Sequence, residues 1–408
     1  MAAMTTLDDA LAAVLAQAQP LGVEHVDLFN ADGRVLRADC TSALQVPPQD
    51  NSAMDGYAVR VADIRAAGVA LPVSQRIPAG YVGTDLAAGT VARIFTGAPV
   101  PPGADAVLMQ EDTQVLEDGT VRFNAVPQLG QNIRRAGEDI ALHSTVLAAG
   151  MSLTPAAVGL AASIGMAELP VGRKPRVALF STGDELVLPG SVAPQDMRAG
   201  SIYNSNRYFL RALLQRLGCE VVDGGILPDD RAQTVAALQA VAQNCDLVLS
   251  SAGVSVGEED HVKPAVEQLG ELALWMIAMK PGKPFAYGKL RRTDGGFAHF
   301  MGLPGNPVSS FITFLLLVRP FVLRLQGMDD VTPKAIAVTA QFDWPKQEKR
   351  REFLRARHTG QGGLALFGNQ GSGVLTSTVW GDGLIDNPPL TTIQQGDTVR
   401  FIPFTELM

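Results

Sequence analysis

Four short loops of the sequence combine carboxylates, lysines and glycines in a way that could bind and cleave a phosphoanhydride. They are 181–186 (STGDEL), 250–260 (SSAGVSVGEED), 280–284 (KPGKP) and 303–310 (LPGNPVSS). Glycine-rich backbone and a helix start can bind phosphate through N–H groups. Lysines neutralise developing negative charge, and carboxylates can hold Mg²⁺, which often bridges phosphates. The four loops together predict a phosphate-binding site in an acidic chain.

Each loop also has a plain structural interpretation. Asp184 and the acidic run 258–260 could simply interact favourably with helix N-termini. The lysines of 280–284 could be solvated on a turn, and Asn306 followed by Pro307 is typical of any helix start. Four such loops at one sheet edge are difficult to attribute to coincidence. The sequence has neither a GxGxxG helix start nor a P-loop motif.

The elements that must position these loops alternate between strands and helices across residues 175–326. Continuous apolar runs such as RVALFSTG alternate with segments such as NSNRYFLRALLQRLG, whose apolar residues recur three and four apart. This alternation predicts a three-layer α/β domain with a mostly parallel sheet. Ligands of such sheets bind in loops beyond the carboxyl ends of the strands, where we expect the four loops to lie.

The rest of the chain predicts a multidomain α/β plus β protein. Residues 1–49 and 136–174 mix helix and strand and predict one N-terminal linker-type domain. Residues 50–135 contain short strands broken by Gly and Pro and predict a small β domain, and 327–408 predict a C-terminal β-barrel domain. Thr5 is the predicted N-cap of the first helix.

The composition disfavours several functional classes. The formal net charge of −8 disfavours nonspecific nucleic-acid binding, which needs a broad basic face. Three cysteines without a C-x-x-C pair predict free buried thiols, and five scattered histidines predict no structural zinc. The N-terminus lacks the basic segment of a signal peptide, and the longest apolar run, 311–318, is too short to span a bilayer. These features predict a cytoplasmic protein without a membrane partner.

Weaker signals lie outside the four loops. Asp55 lies in a turn of small residues, Thr96 lies in a Gly/Pro corner, and Arg134 lies close to Asp139. The segment 349–358 is basic and could be the solvent face of a strand. Stabilisation of a local turn would be enough to explain Asp55, Thr96 and the pair of Arg134 with Asp139.

Nine strings in register closely resemble the MoeA family, which is related to the E domain of gephyrin and of plant Cnx proteins. In chain order they are NSAMDGYAV, FTGAPVPPGADAV, GQNIRRAGEDI, ALFSTGDEL, IYNSNRYFL, SAGVSVGEEDHVK, KPGKPFAYG, GLPGNPVSSFITF and GSGVLTS. The resemblance implies four domains, the central one MogA-like, and an elongated homodimer. It implies an enzyme that inserts molybdate-derived molybdenum into adenylylated molybdopterin, with Mg²⁺-dependent pyrophosphate cleavage and AMP release. A MogA-type adenylyltransferase and other molybdenum-cofactor proteins are the implied partners.

The resemblance also implies roles for individual residues. The implied catalytic residues are Asp55, Thr96, Asp139, Glu185 and Asp260, of which Glu185 and Asp260 are implied to contact Mg²⁺. The implied molybdate contacts are Lys280, Lys283, Arg350, Arg355 and Ser372. Beside the two lysines, the implied substrate-binding residues are Arg134, Gly183, Asp184, Ser250, Gly253, Ser255, Gly257, Pro304, Gly305, Asn306, Pro307 and Ser309. Asp55 and Asp139 are implied to reach the cleft of the partner subunit.

The chain departs from the family pattern at one position near the lysine turn. Met276 stands four residues before Lys280, where family members often carry a basic residue. This departure weakens the case that a basic residue is required there. It directs the expected phosphate contacts towards Lys263 or Lys289.

Three alternative functions remain open at this stage. A molybdopterin adenylyltransferase of the MogA type would use the same α/β loops with ATP, although the β regions on either side favour MoeA. A gephyrin-like scaffold would keep the fold and bind a partner protein, although the retained carboxylates and lysines favour catalysis. Tungstate has nearly the size and charge of molybdate and is an alternative substrate of the same enzyme.

Overall fold

The computed structural model describes residues 4–228, 230–253 and 261–408, which fall into two compact units. Unit 1 consists of Met1–Ala38, Gly150–Thr154 and Glu168–Met408. Unit 2 consists of Asp39–Ala149 and Pro155–Ala167.

Unit 1 contains the α/β sheet and the C-terminal region. Its helices are Leu7–Leu15, Asn206–Arg216, Arg231–Ala242, Val262–Leu269, Pro307–Thr313, Arg319–Gln326 and Thr376–Trp380, with a π-helical segment at Phe314–Val318. Its strands are Val23–Asp27, Glu168–Gly172, Arg176–Thr182, Leu186–Val187, Ile202–Tyr203, Glu220–Leu227, Leu247–Ser251, Gly270–Met276, Met279–Lys280, Pro284–Arg291, Phe297–Leu303, Ile336–Thr339, Arg351–His358, Leu364–Leu366, Gly383–Asn387 and Thr398–Pro403.

A six-stranded sheet forms the middle layer of the α/β region. From one edge to the other its strands are Glu220–Leu227, Arg176–Thr182, Leu247–Ser251, Phe297–Leu303, Pro284–Arg291 and Gly270–Met276. The first four strands are parallel to one another, and Pro284–Arg291 is antiparallel to both of its neighbours. The sheet is therefore mostly parallel, as predicted. The reversed strand escaped prediction because its sequence opens as a lysine turn.

Alternating side chains of the central strands fill two separate cores, which explains the continuous apolar runs. Val177 and Leu179 pack with the layer that contains Leu210 and Phe314. Ala178 and Phe180 join the opposite core, formed with helices 231–242 and 262–269. Successive residues of a strand point to opposite faces, so a sheet covered on both faces needs apolar residues at every position.

The helical stretch 307–326 is long and apolar enough to cross a membrane by length and composition alone. Its apolar window is 83% buried in the protein, so packing in the core accounts for its composition. The uninterrupted apolar run 311–318 is shorter than this helix because Arg319 and Pro320 follow it. The helix continues through them with a π-helical segment at Phe314–Val318. A proline at 320 clashes with a regular helical turn before it, and widening of that turn relieves the clash.

The first helix begins one residue later than predicted. The Thr6 hydroxyl, and not that of Thr5, accepts a hydrogen bond from the Asp9 N–H at 3.1 Å. Thr5 instead lies in extended backbone. Its N–H donates to the Met276 carbonyl at 3.0 Å, and its carbonyl accepts from the Ala278 N–H at 2.8 Å. Pairing with the edge of the α/β sheet therefore prevents Thr5 from acting as the cap.

The C-terminal sheet of unit 1 includes a strand from the lysine turn. Its order is Met279–Lys280, Arg351–His358, Gly383–Asn387, Thr398–Pro403 and Ile336–Thr339, with Leu364–Leu366 paired to Arg351–His358. Met279 and Lys280 pair in parallel with Arg351 and Glu352. This pairing fixes the first lysine of the turn beside the C-terminal strand.

Unit 2 is built on a mixed β-sheet. In spatial order its strands are Ala106–Met109, Gly56–Val59, Val91–Ile94, Ala70–Ile77, Thr120–Phe123 and Thr113–Val115. The remaining elements are the strands Cys40–Thr41, Asn51–Ser52, Ile133–Arg134 and Thr145–Leu147 and the helix Pro155–Ser163. Tyr57 and Phe123 meet edge to face at 6.1 Å in its core. Cys40 of this unit, like Cys219 and Cys245 of unit 1, is a free buried thiol, as predicted.

A histidine is buried inside the α/β core beside a tyrosine. His299 is 7% exposed, and its Nδ1 lies 2.8 Å from the Tyr287 hydroxyl in a hydrogen bond. Burial, the main cause, and the nearby Lys289 ammonium together lower the pKa of His299 from 6.5 to about 4. Between these two values the unfolded chain binds a proton that the folded protein does not. The stability that neutral His299 contributes is therefore fully present above the unfolded pKa of about 6.5 and is lost as the pH falls towards the folded pKa of about 4.

We predict that His299→Asn weakens this acid sensitivity, because its side-chain oxygen can still accept from Tyr287 without titrating. The variant should lose less of its free energy of unfolding than the wild type between about pH 7 and about pH 5. The difference should be at most roughly 2 kcal/mol, because about 1.5 pH units separate the unfolded pKa from pH 5. Urea unfolding at both pH values measures it, and equal losses in the two proteins would contradict the assignment.

Candidate active site

A cavity of about 780 Å³ lies at the carboxyl edge of the α/β sheet in unit 1. The ends of Arg176–Thr182, Leu247–Ser251 and Phe297–Leu303 border it, as does the turn after Met279–Lys280. The sequence-predicted residues that line it are Glu185, Gly253, Lys280, Lys283, Pro304, Gly305, Asn306, Pro307, Ser309, Arg350 and Ser372. The cavity thus brings together loops that are far apart in the chain.

Glu185 presents an exposed carboxylate at this edge. The Ile202 N–H donates to its carbonyl at 2.8 Å, and the short parallel pair Leu186–Val187 and Ile202–Tyr203 follows directly. The carboxylate folds back over Gly183, where a Cβ would lie 2.7 Å from Oε1. Asp184 is exposed beside it and does not line the cavity. Glu185 is therefore the carboxylate of STGDEL that the cavity can use.

The lysine turn packs tightly against the helix that follows the fourth loop. Gly282 has φ of 109°, and a Cβ there would lie 2.5 Å from Thr313 Oγ1 and 2.6 Å from Met279 Cε. Only glycine fits this position. The close approach places Lys280 and Lys283 on the same wall of the cavity.

Two cations and two carboxylates form a charge cluster at this wall, which consists of Lys280, Arg350, Glu348 and Glu352. Lys280 Nζ lies 3.0 Å from Glu352 Oε1 and 3.6 Å from Glu348 Oε2. Arg350 Nη2 donates to Glu348 Oε2 at 3.0 Å. Hydrogen bonding from Arg350 is the main cause that lowers the pKa of Glu348 to about 2, and the charges of Arg350 and Lys280 add to it. Glu348 is therefore ionised at neutral pH in this arrangement.

The loop 303–310 starts a helix, as predicted, with Asn306 at the N-cap and Pro307 in the first turn. The Val308 N–H donates to the carbonyl of Ser372 at 2.9 Å. This bond brings the Ser372 loop to the cavity. It also occupies one of the first-turn amides that sequence reasoning assigned to phosphate.

Several polar residues of the cavity were missed by sequence reasoning. Asn206 donates through Nδ2 to Ser251 Oγ and to the Gly305 carbonyl, both at 2.8 Å, and so joins two strand ends. Asn204 accepts from the Arg207 N–H at 3.1 Å, while its Nδ2 has no acceptor among the described residues. Asn204 is only 1% exposed and lines the cavity. The string NSN, residues 204–206, could have indicated these polar residues, but it was interpreted only as the start of the following helix.

Arg355 lies outside the cavity lining, because its guanidinium is fully buried. It donates to Ser377 Oγ at 3.1 Å and to the carbonyls of Phe353 and Gly371 at 3.1 and 3.2 Å. Burial lowers the pKa of Arg355 to about 10. Arg355 therefore supports the loop of Gly371 and Ser372 through its bond to the Gly371 carbonyl. The direct molybdate contact expected for Arg355 from the sequence is not possible for a guanidinium buried outside the cavity lining.

The remaining predicted residues of unit 1 are placed as follows. Ser250 is buried and donates to the Ala252 carbonyl at 2.9 Å, behind the cavity wall. Lys289 lies 4.7 Å from the centre of the Phe297 ring, and neither it nor Lys263 lines the cavity. Ser255, Gly257 and Asp260 lie outside the described residues.

The predicted residues of unit 2 lie on its exposed surface. Asp55 accepts from the Thr96 N–H and from the Thr96 hydroxyl, both at 2.8 Å. These two bonds, that from the N–H first, lower the pKa of Asp55. Arg134 and Asp139 are also exposed, and the Asp139 N–H donates to the Val46 carbonyl at 3.1 Å. Asp55 and Thr96 therefore form a hydrogen-bonded pair on the surface of unit 2.

The described residues contain no group of three or more His, Cys, Asp or Glu side chains that could hold a metal ion. The cavity instead offers the single carboxylate of Glu185 among its described lining. Mg²⁺ is commonly held by one or two carboxylates together with waters and ligand phosphates. The donor set therefore fits a cation that arrives with a phosphate ligand.

Family models match most of the chain. Residues 5–165 match the MoeA N-terminal region (domain I and II), 178–324 match a "Probable molybdopterin binding domain", and 337–404 match the MoeA C-terminal region (domain IV). The three matches follow one another in the order that a MoeA protein has.

Individual relatives agree with these matches. A protein of Haemophilus influenzae named molybdopterin molybdenumtransferase is 40% identical over 99% of this chain and 100% of its own length. The molybdopterin molybdenumtransferase 2 of Mycobacterium tuberculosis is 39% identical over 89% of this chain and 90% of its own.

A solved structure agrees with the whole fold. The molybdopterin biosynthesis moeA protein of Pyrococcus horikoshii superposes with a TM-score of 0.85 at 28% identity, over 98% of this chain and 100% of its own. With family models along most of its length and relatives of this similarity, the chain belongs to the MoeA family.

Proposed function

We propose that this protein is a molybdopterin molybdenumtransferase of molybdenum-cofactor biosynthesis, which acts on adenylylated molybdopterin and molybdate. The observation that carries the proposal is the cavity in which Glu185, the lysine turn and Arg350 meet. The names of the relatives supply the substrate class. Its volume of about 780 Å³ is within the usual range for a small-molecule site.

The side chains of the cavity suit cleavage of a pyrophosphate. In the proposed reaction an oxygen of molybdate or water forms a new bond to phosphorus, the phosphoanhydride P–O bond breaks, and AMP leaves with the electron pair. Lys280, Lys283 and Arg350 stabilise the negative charge on the transferred group. No protein nucleophile is needed. The dominant contribution of the protein is to position the ligands and to neutralise charge.

Magnesium enters this proposal through Glu185. When bound, Mg²⁺ would neutralise charge on the phosphate oxygens. Glu185 would hold it from the STGDEL loop, and Asp260 is proposed as a second ligand from outside the described residues. Gly183 leaves room for the Glu185 carboxylate to fold back over the loop.

The remaining parts of the proposal concern assembly and location. We propose a cytoplasmic homodimer in which Asp55, Thr96, Arg134 and Asp139 serve the cleft of the partner subunit. The exposed position of Asp55 and its two bonds from Thr96 support a role in binding a ligand or a cation. A MogA-type adenylyltransferase would supply the adenylylated substrate.

The first prediction concerns Glu185. Purified protein should release AMP and retain molybdenum on the pterin when given adenylylated molybdopterin, Mg²⁺ and molybdate. Glu185→Gln should slow both by roughly a hundredfold, because it removes the charge while preserving the shape. The exposed Asp196→Asn is the matched control for loss of one negative charge and should leave the rate unchanged.

Other outcomes of this assay would select another function. If wild-type protein forms adenylylated product from ATP and bare molybdopterin but makes no metallated pterin, the protein is an adenylyltransferase and the proposed function is wrong. If a well-folded protein is silent in both assays, the transferase proposal is wrong and the scaffold function becomes the alternative.

The second prediction separates the two lysines. Lys283 is exposed, so Lys283→Met should slow AMP release without changing stability. Lys280→Met should slow AMP release and also lower the free energy of unfolding. The stability falls because Glu352, which is 1% exposed, loses its cation. The loss should be on the order of 2 kcal/mol. Adding Glu352→Gln to Lys280→Met should restore stability but not activity, and thermal unfolding beside AMP release measures both. Recovery of activity in the double variant would contradict a direct role for Lys280.

The third prediction concerns the unpaired amide of Asn204. Its oxygen must face the Arg207 N–H, so the Nδ2 group, which is buried at the cavity lining, can only donate. Asn204→Asp keeps the bond to Arg207 and replaces the donor by a negative charge. We expect a KM for adenylylated molybdopterin raised roughly tenfold. We also expect a lower melting temperature, because the new carboxylate oxygen is buried without a donor. An unchanged KM would show that Asn204 does not contact the substrate.

A further inference from the structure

We infer that Glu348 is a displaceable internal counter-ion that occupies the oxyanion-binding edge of Arg350 and thereby limits the affinity of the cavity for oxyanions. The inference rests on the proposed function only in taking molybdate as the oxyanion. It concerns binding and needs no transfer step.

The contacts of Arg350 carry the inference. Its Nε and Nη2 donate to the two oxygens of one carboxylate, at 3.3 Å to Oε1 and 3.0 Å to Oε2 of Glu348. This is the fork geometry with which a guanidinium binds any planar or tetrahedral oxyanion through two oxygens. Arg350 lines the cavity, so an oxyanion bound there would compete with Glu348 for the same N–H groups.

The two carboxylates of the charge cluster are held very differently. Glu352 is 1% exposed at its side chain and accepts bonds from both Lys280 Nζ and Trp344 Nε1, at 3.0 and 2.9 Å. Glu348 is 19% exposed and accepts its other close bond from the neighbouring Lys349 N–H, at 3.0 Å. Displacing Glu352 would leave a buried charge, whereas Glu348 can turn towards water. Glu348 is therefore the carboxylate that an incoming ligand can replace.

The charges of the cluster explain why this replacement matters. Lys280 and Arg350 together carry two positive charges, and Glu348 and Glu352 carry two negative ones. The described cluster is thus neutral until Glu348 leaves Arg350. An oxyanion that can bind Arg350 through two oxygens gains a full pair of charge-assisted bonds, and one that binds through a single oxygen does not. Glu348 therefore competes most directly with an oxyanion, such as molybdate, that binds Arg350 through two oxygens.

Calorimetric titration of the full-length protein with sodium molybdate tests the inference. Glu348→Gln keeps a neutral acceptor for Arg350 and removes the competing charge, so its Kd should fall about fivefold. Asp329→Asn is the matched control, because Asp329 pairs with Arg324, is 82% exposed and carries the same charge. The control should bind as the wild type does and keep its melting temperature, whereas Glu348→Gln should lower the melting temperature modestly because it gives up the charged pair with Arg350.

The double variant Glu348→Gln with Arg350→Met locates the effect, since the gain should vanish without Arg350. Unchanged or weaker binding by Glu348→Gln would overturn the inference and make Glu348 a residue that merely holds Arg350 in position. If wild-type binding is too weak to measure, measurable binding by Glu348→Gln supports the inference and its absence contradicts it. Failure of the AMP-release assay would overturn the proposed function and leave this result intact.

Discussion

The site depends on a short parallel pairing between Met279–Lys280 and Arg351–Glu352. It fixes the backbone of the lysine turn to a strand of the C-terminal sheet and places Lys280 against the buried Glu352. A lysine at a cavity wall is otherwise free to turn to solvent. Here the ion pair, the Trp344 bond to the same carboxylate and the tight packing of Gly282 hold it in place. The position of Lys280 at the cavity wall therefore depends on both the α/β region, which supplies the lysine turn, and the C-terminal sheet, which supplies Glu352.

The remaining architecture supplies the concave edge of the α/β sheet on which this wall stands. Parallel strands end at the same edge, so the loops that follow them converge there. Asn206 joins two of these loops, and the Val308 N–H brings the Ser372 loop to them. Three cations, Lys280, Lys283 and Arg350, line this cavity, and on them rests the proposal that an acidic chain binds a polyanion here.

Local patterns predicted much of this fold and part of the site. Strand and helix periodicities gave the mostly parallel sheet, and Asn306 with Pro307 gave the helix start. The patterns missed Thr6 as the first cap, since pairing of Thr5 with a distant strand decided it. They also missed Glu348 and Glu352 and the buried support given by Arg355. Lys280 and Glu352 are 72 residues apart, and no spacing in the sequence joins them.

The proposed function requires that the cavity of unit 1 binds the molybdenum oxyanion. Anomalous diffraction from crystals of the protein soaked in molybdate would locate the metal. We expect a molybdenum peak within hydrogen-bond reach of Lys280, Lys283 and Arg350. A peak elsewhere, with this cavity free of molybdenum at saturating molybdate, would contradict it.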